Sequence, residues 1–88
     1  MKMIIAIIRD DDNETVSRAL IDQGYRVTRV ASTGGFLRRG STTLMIGVSD
    51  EKVDDAIQVI KNKTTHPGEA GTKRATLFVL PVDHYSQL

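Results

Sequence analysis

The run Met3-Ile4-Ile5-Ala6-Ile7-Ile8 constrains this chain more than any other stretch. A strand with one wet face alternates apolar and polar residues; here both parities are apolar. Such a run reads as a central strand buried on both faces. Two covers are therefore needed. With 88 residues, a single domain spanning residues 1–88 is expected. A domain of this size has a thin core, and oligomerisation is a common remedy.

The rest of the chain supplies one cover. Asp11 is positioned to cap a helix, with Glu14 reaching back as in a capping box. Asp10, Asp11 and Asp12 read better as acids at a helix N-terminus than as a metal cluster, since no further ligands are spaced to help. Val16, Ala19 and Leu20 give that helix an apolar face, and Gly24 falls where a C-terminal cap is wanted. Residues 25–31 form a second strand, with Arg26, Thr28 and Val30 on one face and Val27 and Arg29 on the other. Residues 42–48 form a third, in which Gly47 signals a bulge or a close neighbour. Ser49 or Asp50 is expected to cap a second helix. Its Val53, Ala56, Ile57 and Ile60 give the clearest amphipathic spacing in the chain. Residues 64–73 make a polar connector, and residues 75–80 a last strand stopped near Pro81.

The order βαββαβ predicts an α+β, ferredoxin-like domain. Its four-stranded, antiparallel-containing sheet carries both helices on one face, with the first and third strands central. The second sheet face then lacks a cover, and another subunit is the expected one.

Between the second and third strands stands Thr33-Gly34-Gly35-Phe36-Leu37-Arg38-Arg39-Gly40. Glycines there permit positive φ and leave amides unshielded, so they can hold an anion. Phe36 adds a flat apolar face. This combination suits a nucleotide, and a packed turn accounts for it as well. The spacing of Gly35, Gly40, Ser41 and Thr42 imitates a phosphate-binding loop. The lysine is missing, however, and a strand follows where a helix is required. Arg26 and Thr28 could grip a phosphate or a base edge, or serve as edge-strand polarity that discourages aggregation.

Several functions are disfavoured. Cysteine is absent, so disulfides and thiolate metal sites are excluded, and a reducing cytoplasm fits. Two histidines, in a loop and a tail, suggest no metal site. No catalytic constellation can be assembled, so an enzyme is not expected, and an acylphosphatase-like anion loop is missing after the first strand. The net charge of +1 gives no strong pull toward nucleic acid or membrane. An RNA-recognition domain shares the element order but needs aromatics on its central strands, and residues 4–8 and 42–48 have none. The run at residues 3–8 is too short for a secretory h-region or a membrane span.

Tyr25-Arg26-Val27-Thr28, the glycine-rich loop, Ile46-Gly47-Val48 and Phe78-Val79-Leu80-Pro81-Val82-Asp83 together carry a resemblance. The chain resembles the PII-like cyclic di-AMP receptors of Gram-positive bacteria. The resemblance implies a PII-like homotrimer with its sheets packed inward and ligand clefts between neighbouring subunits. It implies a cytoplasmic, non-enzymatic receptor that binds cyclic di-AMP without a cofactor and signals to a downstream protein. By position it implies that Arg26 and Thr28 hold one end of the ligand. Gly35, Phe36 and Leu37 would wrap a base, Thr33 and Gly34 would belong to the same ligand site, Gly47 would allow close approach, and Gln87 would contact the ligand from the tail. Ser41 stands where the family usually has Asn, with a shorter reach and no amide. Relatives also carry a longer glycine-rich loop where this chain has only residues 64–73.

Overall fold

Strand β1 (Lys2–Arg9) leads into helix α1 (Asp10–Asp22), and strands β2 (Arg26–Val30) and β3 (Ser41–Val48) follow. Helix α2 (Val53–Lys63) and strand β4 (Ala75–Pro81) complete the chain. The structure, a computed structural model, describes residues 1–30, 40–64, 75–83 and 86.

The sheet runs in the order β2-β3-β1-β4, every neighbouring pair antiparallel. This is the ferredoxin-like arrangement, and the two most apolar strands occupy its centre. Both helices cover one face. Ile4, Ala6 and Ile8 of β1 meet Leu44, Ile46 and Val48 of β3 there, and Val16, Leu20, Ala56 and Ile60 close over them. Most of these side chains are fully buried, worth about 1.5–3 kcal/mol each for the larger ones.

The register sorts the helix-free face into rows. Arg26, Gly47, Met3 and Leu80 align across the four strands. Thr28, Met45, Ile5 and Phe78 form the next row, and Val30, Thr43, Ile7 and Thr76 the third. Phe78 is 51% exposed and Leu80 45%. The apolar face without helices anticipated from β1 is therefore present and extends onto β4.

Two local expectations are corrected. The capping box at Asp11 and Glu14 does not form: Arg9 is the N-cap residue, without a side-chain capping bond. Asp10 is already helical, and its carboxylate accepts a hydrogen bond from the Thr42 hydroxyl on β3. That places Asp11 inside the first turn, where the three acids still complement the helix dipole. Before α2, a 3-10 turn (Asp50–Lys52) intervenes, and its last amide, Lys52 N–H, donates to the Ser49 carbonyl at 3.0 Å. The Ser49 side chain makes no capping bond.

The two ends of the β2–β3 unit are held by glycines in the left-handed region. Gly24, with φ +90°, turns the chain from α1 into β2. Gly40, with φ +83°, starts β3, and its carbonyl accepts the Asp10 amide at 2.8 Å. The C-terminal foot of the glycine-rich loop is thereby tied to the start of α1.

Candidate functional site: a methionine-floored pocket on the open sheet face

Gly47 creates the site. It lies between Arg26 and Met3 in its row and has no side chain to fill the space. β3 pairs continuously through it, so Gly47 marks a close neighbour and not a bulge. The neighbour is Met1: a Cβ added at Gly47 would come within 3.0 Å of the Met1 Cε atom. The space left is a pocket of about 400 Å³, lined by Met1, Met3, Arg26, Thr28, Met45 and Gly47.

Each lining group is placed by strand parity. Arg26 and Thr28 alternate with Val27, which packs on the core, so both project from the helix-free face. They are exposed, on the edge strand β2. Met3 and Met45 are half-buried on the central strands. Met1 is held at its carbonyl by the Val82 amide at 3.0 Å and at its amino group by Asp50 Oδ1 at 2.9 Å. That amino group, with Lys2 adding to it, holds the Asp50 carboxyl below the usual carboxylate range.

The result is a pocket with an apolar floor and one polar wall. The guanidinium is a planar, permanently charged fork suited to phosphate, and the threonine hydroxyl both donates and accepts. The floor offers thioethers, which pack favourably against flat aromatic rings. Among these lining groups no carboxylate or imidazole stands as a general base. Among the described residues, no three His, Cys, Asp or Glu side chains converge to hold a metal.

The structure thus brings together Arg26, Thr28 and Gly47, three of the residues singled out from sequence. Ser41 shares the open face but stands at the loop end of β3, roughly 20 Å along the strand from Gly47, and does not line this pocket. Thr33, Gly34, Gly35, Phe36, Leu37 and Gln87 lie outside the described residues. Met1, Met3 and Met45 were missed. Their signal was available in part, because Met3 and Met45 occupy strand positions of the parity opposite the core. A second concavity, about 820 Å³, lies between α1 and β2. Charges of both signs line it, including Asp11, Glu14, Arg18 and Arg29, and none of the sequence-predicted site residues reaches it.

The comparison that decides the family concerns the chain from its start through α2. The family model described as cyclic-di-AMP receptor matches residues 1–70. The chain belongs to the cyclic-di-AMP receptor family. The match includes Arg26, Thr28, the glycine-rich loop and Gly47. A second relative places the family among PII-like proteins: the chain is 32% identical to nitrogen fixation nifHD region GlnB-like protein 1 of Methanothermococcus thermolithotrophicus. That alignment spans 95 residues, 93% of this chain and 88% of the relative. A crystal structure of a functionally unknown protein from Pediococcus pentosaceus ATCC 25745 superposes with a TM-score of 0.81 at 38% identity. The match covers 99% of this chain and 96% of that one, so the two are nearly equal in length. A cyclic-di-AMP receptor-family chain with a short connector before β4 therefore has a counterpart of the same size and fold. Among the described residues, no helix is long and apolar enough to cross a membrane.

Proposed function

We propose that this receptor-family chain is a homotrimeric, cytoplasmic, non-enzymatic sensor that binds cyclic di-AMP in clefts between its subunits. The observation that carries the reading is the Arg26–Thr28 wall beside the Gly47 gap, on the sheet face that lacks helices. A phosphate of the ligand meets the Arg26 guanidinium, and an adenine ring enters over the apolar floor. Gly35, Phe36 and Leu37 of the glycine-rich loop enclose a base, and Thr33, Gly34, Ser41 and Gln87 complete the cleft, as the family resemblance implies.

The trimer follows from the same face. Ile5, Ile7, Phe78 and Leu80 form an apolar surface beside the pocket lined by Met3 and Met45. Packing three such sheets inward removes this surface from water. The Thr43 hydroxyl lies buried in that face with no hydrogen-bond partner among the described residues. Buried hydroxyls are as a rule satisfied, and a neighbouring subunit would supply the acceptor. Binding is then coupled to a downstream protein that reads the occupied trimer.

Titration calorimetry against cyclic di-AMP, cyclic di-GMP and linear AMP tests this reading, with light scattering on the same sample. A trimer that binds cyclic di-AMP, with linear AMP much weaker, supports it. A trimer that binds none of them sinks the receptor function and leaves a PII-like assembly without this ligand.

A further inference from the structure

All three methionines of the sequence line one pocket. They come from two central strands and the residue preceding β1, and the antiparallel register of β1 and β3 is what joins them. Met3 lies opposite Gly47, and Met45 lies opposite Ile5, one row away. Met1 leans over Gly47 from the chain start. Elsewhere the open face is built from Ile5, Ile7, Phe78 and Leu80, which are stiffer or bulkier. The flexible residues are gathered where the free space is.

We propose that Met1, Met3 and Met45 are ligand-contacting residues whose thioethers form the floor on which one adenine ring of the ligand lies. This deepens the cyclic di-AMP reading and rests on it. A thioether is polarizable, has three rotatable bonds behind it, and packs favourably against aromatic rings. It is also a very weak acceptor and no donor. The floor therefore grips the ring face and leaves the base edge to be read by other groups. In a single subunit Met1 is 47% exposed and Met3 and Met45 are half-buried, and all three border the open pocket through which ligand would enter.

The same chemistry makes the site sensitive to peroxide. The thioether sulfur takes one oxygen atom from hydrogen peroxide and is oxidised by two electrons; the peroxide leaves as water. The product sulfoxide is polar and chiral, and it spoils an apolar floor. Bound ligand shields the sulfurs from this reaction.

The test uses the wild-type trimer with limiting hydrogen peroxide, with and without saturating cyclic di-AMP, followed by mass spectrometry of each methionine. Slower oxidation of Met3 and Met45 with ligand is expected, linear AMP giving no such protection. Pre-oxidised trimer should bind cyclic di-AMP at least about tenfold more weakly, as should Met45→Ala, since a sulfur–aromatic contact together with the lost apolar packing is worth about 1.4 kcal/mol. If wild type binds cyclic di-AMP while the methionines oxidise at equal rates with and without it, the floor is wrong and the receptor reading survives. If wild type binds no cyclic di-AMP, both fall.

Discussion

Gly47 faces Arg26 across the β2–β3 ladder, and the missing side chain at one position is the room beside the charged one at the other. The pocket is a product of register. Sliding β2 by one residue would turn Arg26 and Thr28 to the helix side and leave the methionine floor without a polar wall.

This relationship separates folding from binding. Gly47 does not have positive φ, and a Cβ there meets only the flexible end of Met1 at 3.0 Å. Gly47→Ala should therefore leave stability unchanged or raise it by about 0.4–1 kcal/mol, because the unfolded chain loses freedom. The methyl group occupies ligand space, and overpacking costs about 1–3 kcal/mol, so affinity should fall about ten- to a hundredfold. Thermal denaturation beside calorimetry checks the opposite signs. A variant that loses stability and keeps its affinity would refute this placement of the ligand.

Arg26 is exposed and contributes no core packing. Arg26→Ala should leave the melting temperature nearly unchanged and weaken cyclic di-AMP binding by about ten- to a hundredfold, the worth of a charge-assisted hydrogen bond. Arg26→Lys should recover only part of the loss, since the ammonium lacks the planar fork. Full recovery by lysine would mean that charge alone is read.

Ile5 sits mid-row on the open face between Met45 and Phe78, outside the helix-side core. Ile5→Glu should break the proposed trimer while preserving helix content, because like charges would meet where the three sheets are proposed to converge. Light scattering and circular dichroism report the two effects. A wild-type chain that runs as a stable monomer at micromolar concentration would already remove the intersubunit cleft.

Much of this architecture was legible because it is written in local pattern. The doubly apolar parity of residues 3–8 predicted a central strand, and Val53, Ala56, Ile57 and Ile60 predicted the helix that covers it. Gly24 was readable as a helix end because its positive φ is a local demand. What the sequence hid was pairing across distance. Asp10, at the start of α1, accepts the Thr42 hydroxyl from β3, a tertiary contact present where the local capping box at Asp11 is not. The methionine floor was hidden for the same reason: parity places Met3 and Met45 on one face, but only the register sets Met3 opposite Gly47. Arg26 and Thr28, equally consistent with edge protection, became a pocket wall once Gly47 was found beside them.

The connector between Thr64, the C-cap of α2, and β4 spans residues 65–74. Its ends are fixed: Thr64 is buried and donates its hydroxyl to the Lys61 carbonyl, and β4 starts at Ala75. The sequence of residues 65–74 has no apolar periodic stretch, so replacing it with a shorter glycine-serine turn should shift the melting temperature by only a few degrees, about ±0.5 kcal/mol. A large drop would show that the connector packs, and calorimetry on the same variant would show whether it covers ligand.

Titration calorimetry of the wild-type protein with cyclic di-AMP tests the central claim most directly. Saturable binding with one ligand per subunit is predicted, and linear AMP should bind far more weakly because it fills only part of the cleft. A monodisperse trimer giving no binding heat at any temperature tried, and no ligand-induced rise in melting temperature, would contradict it.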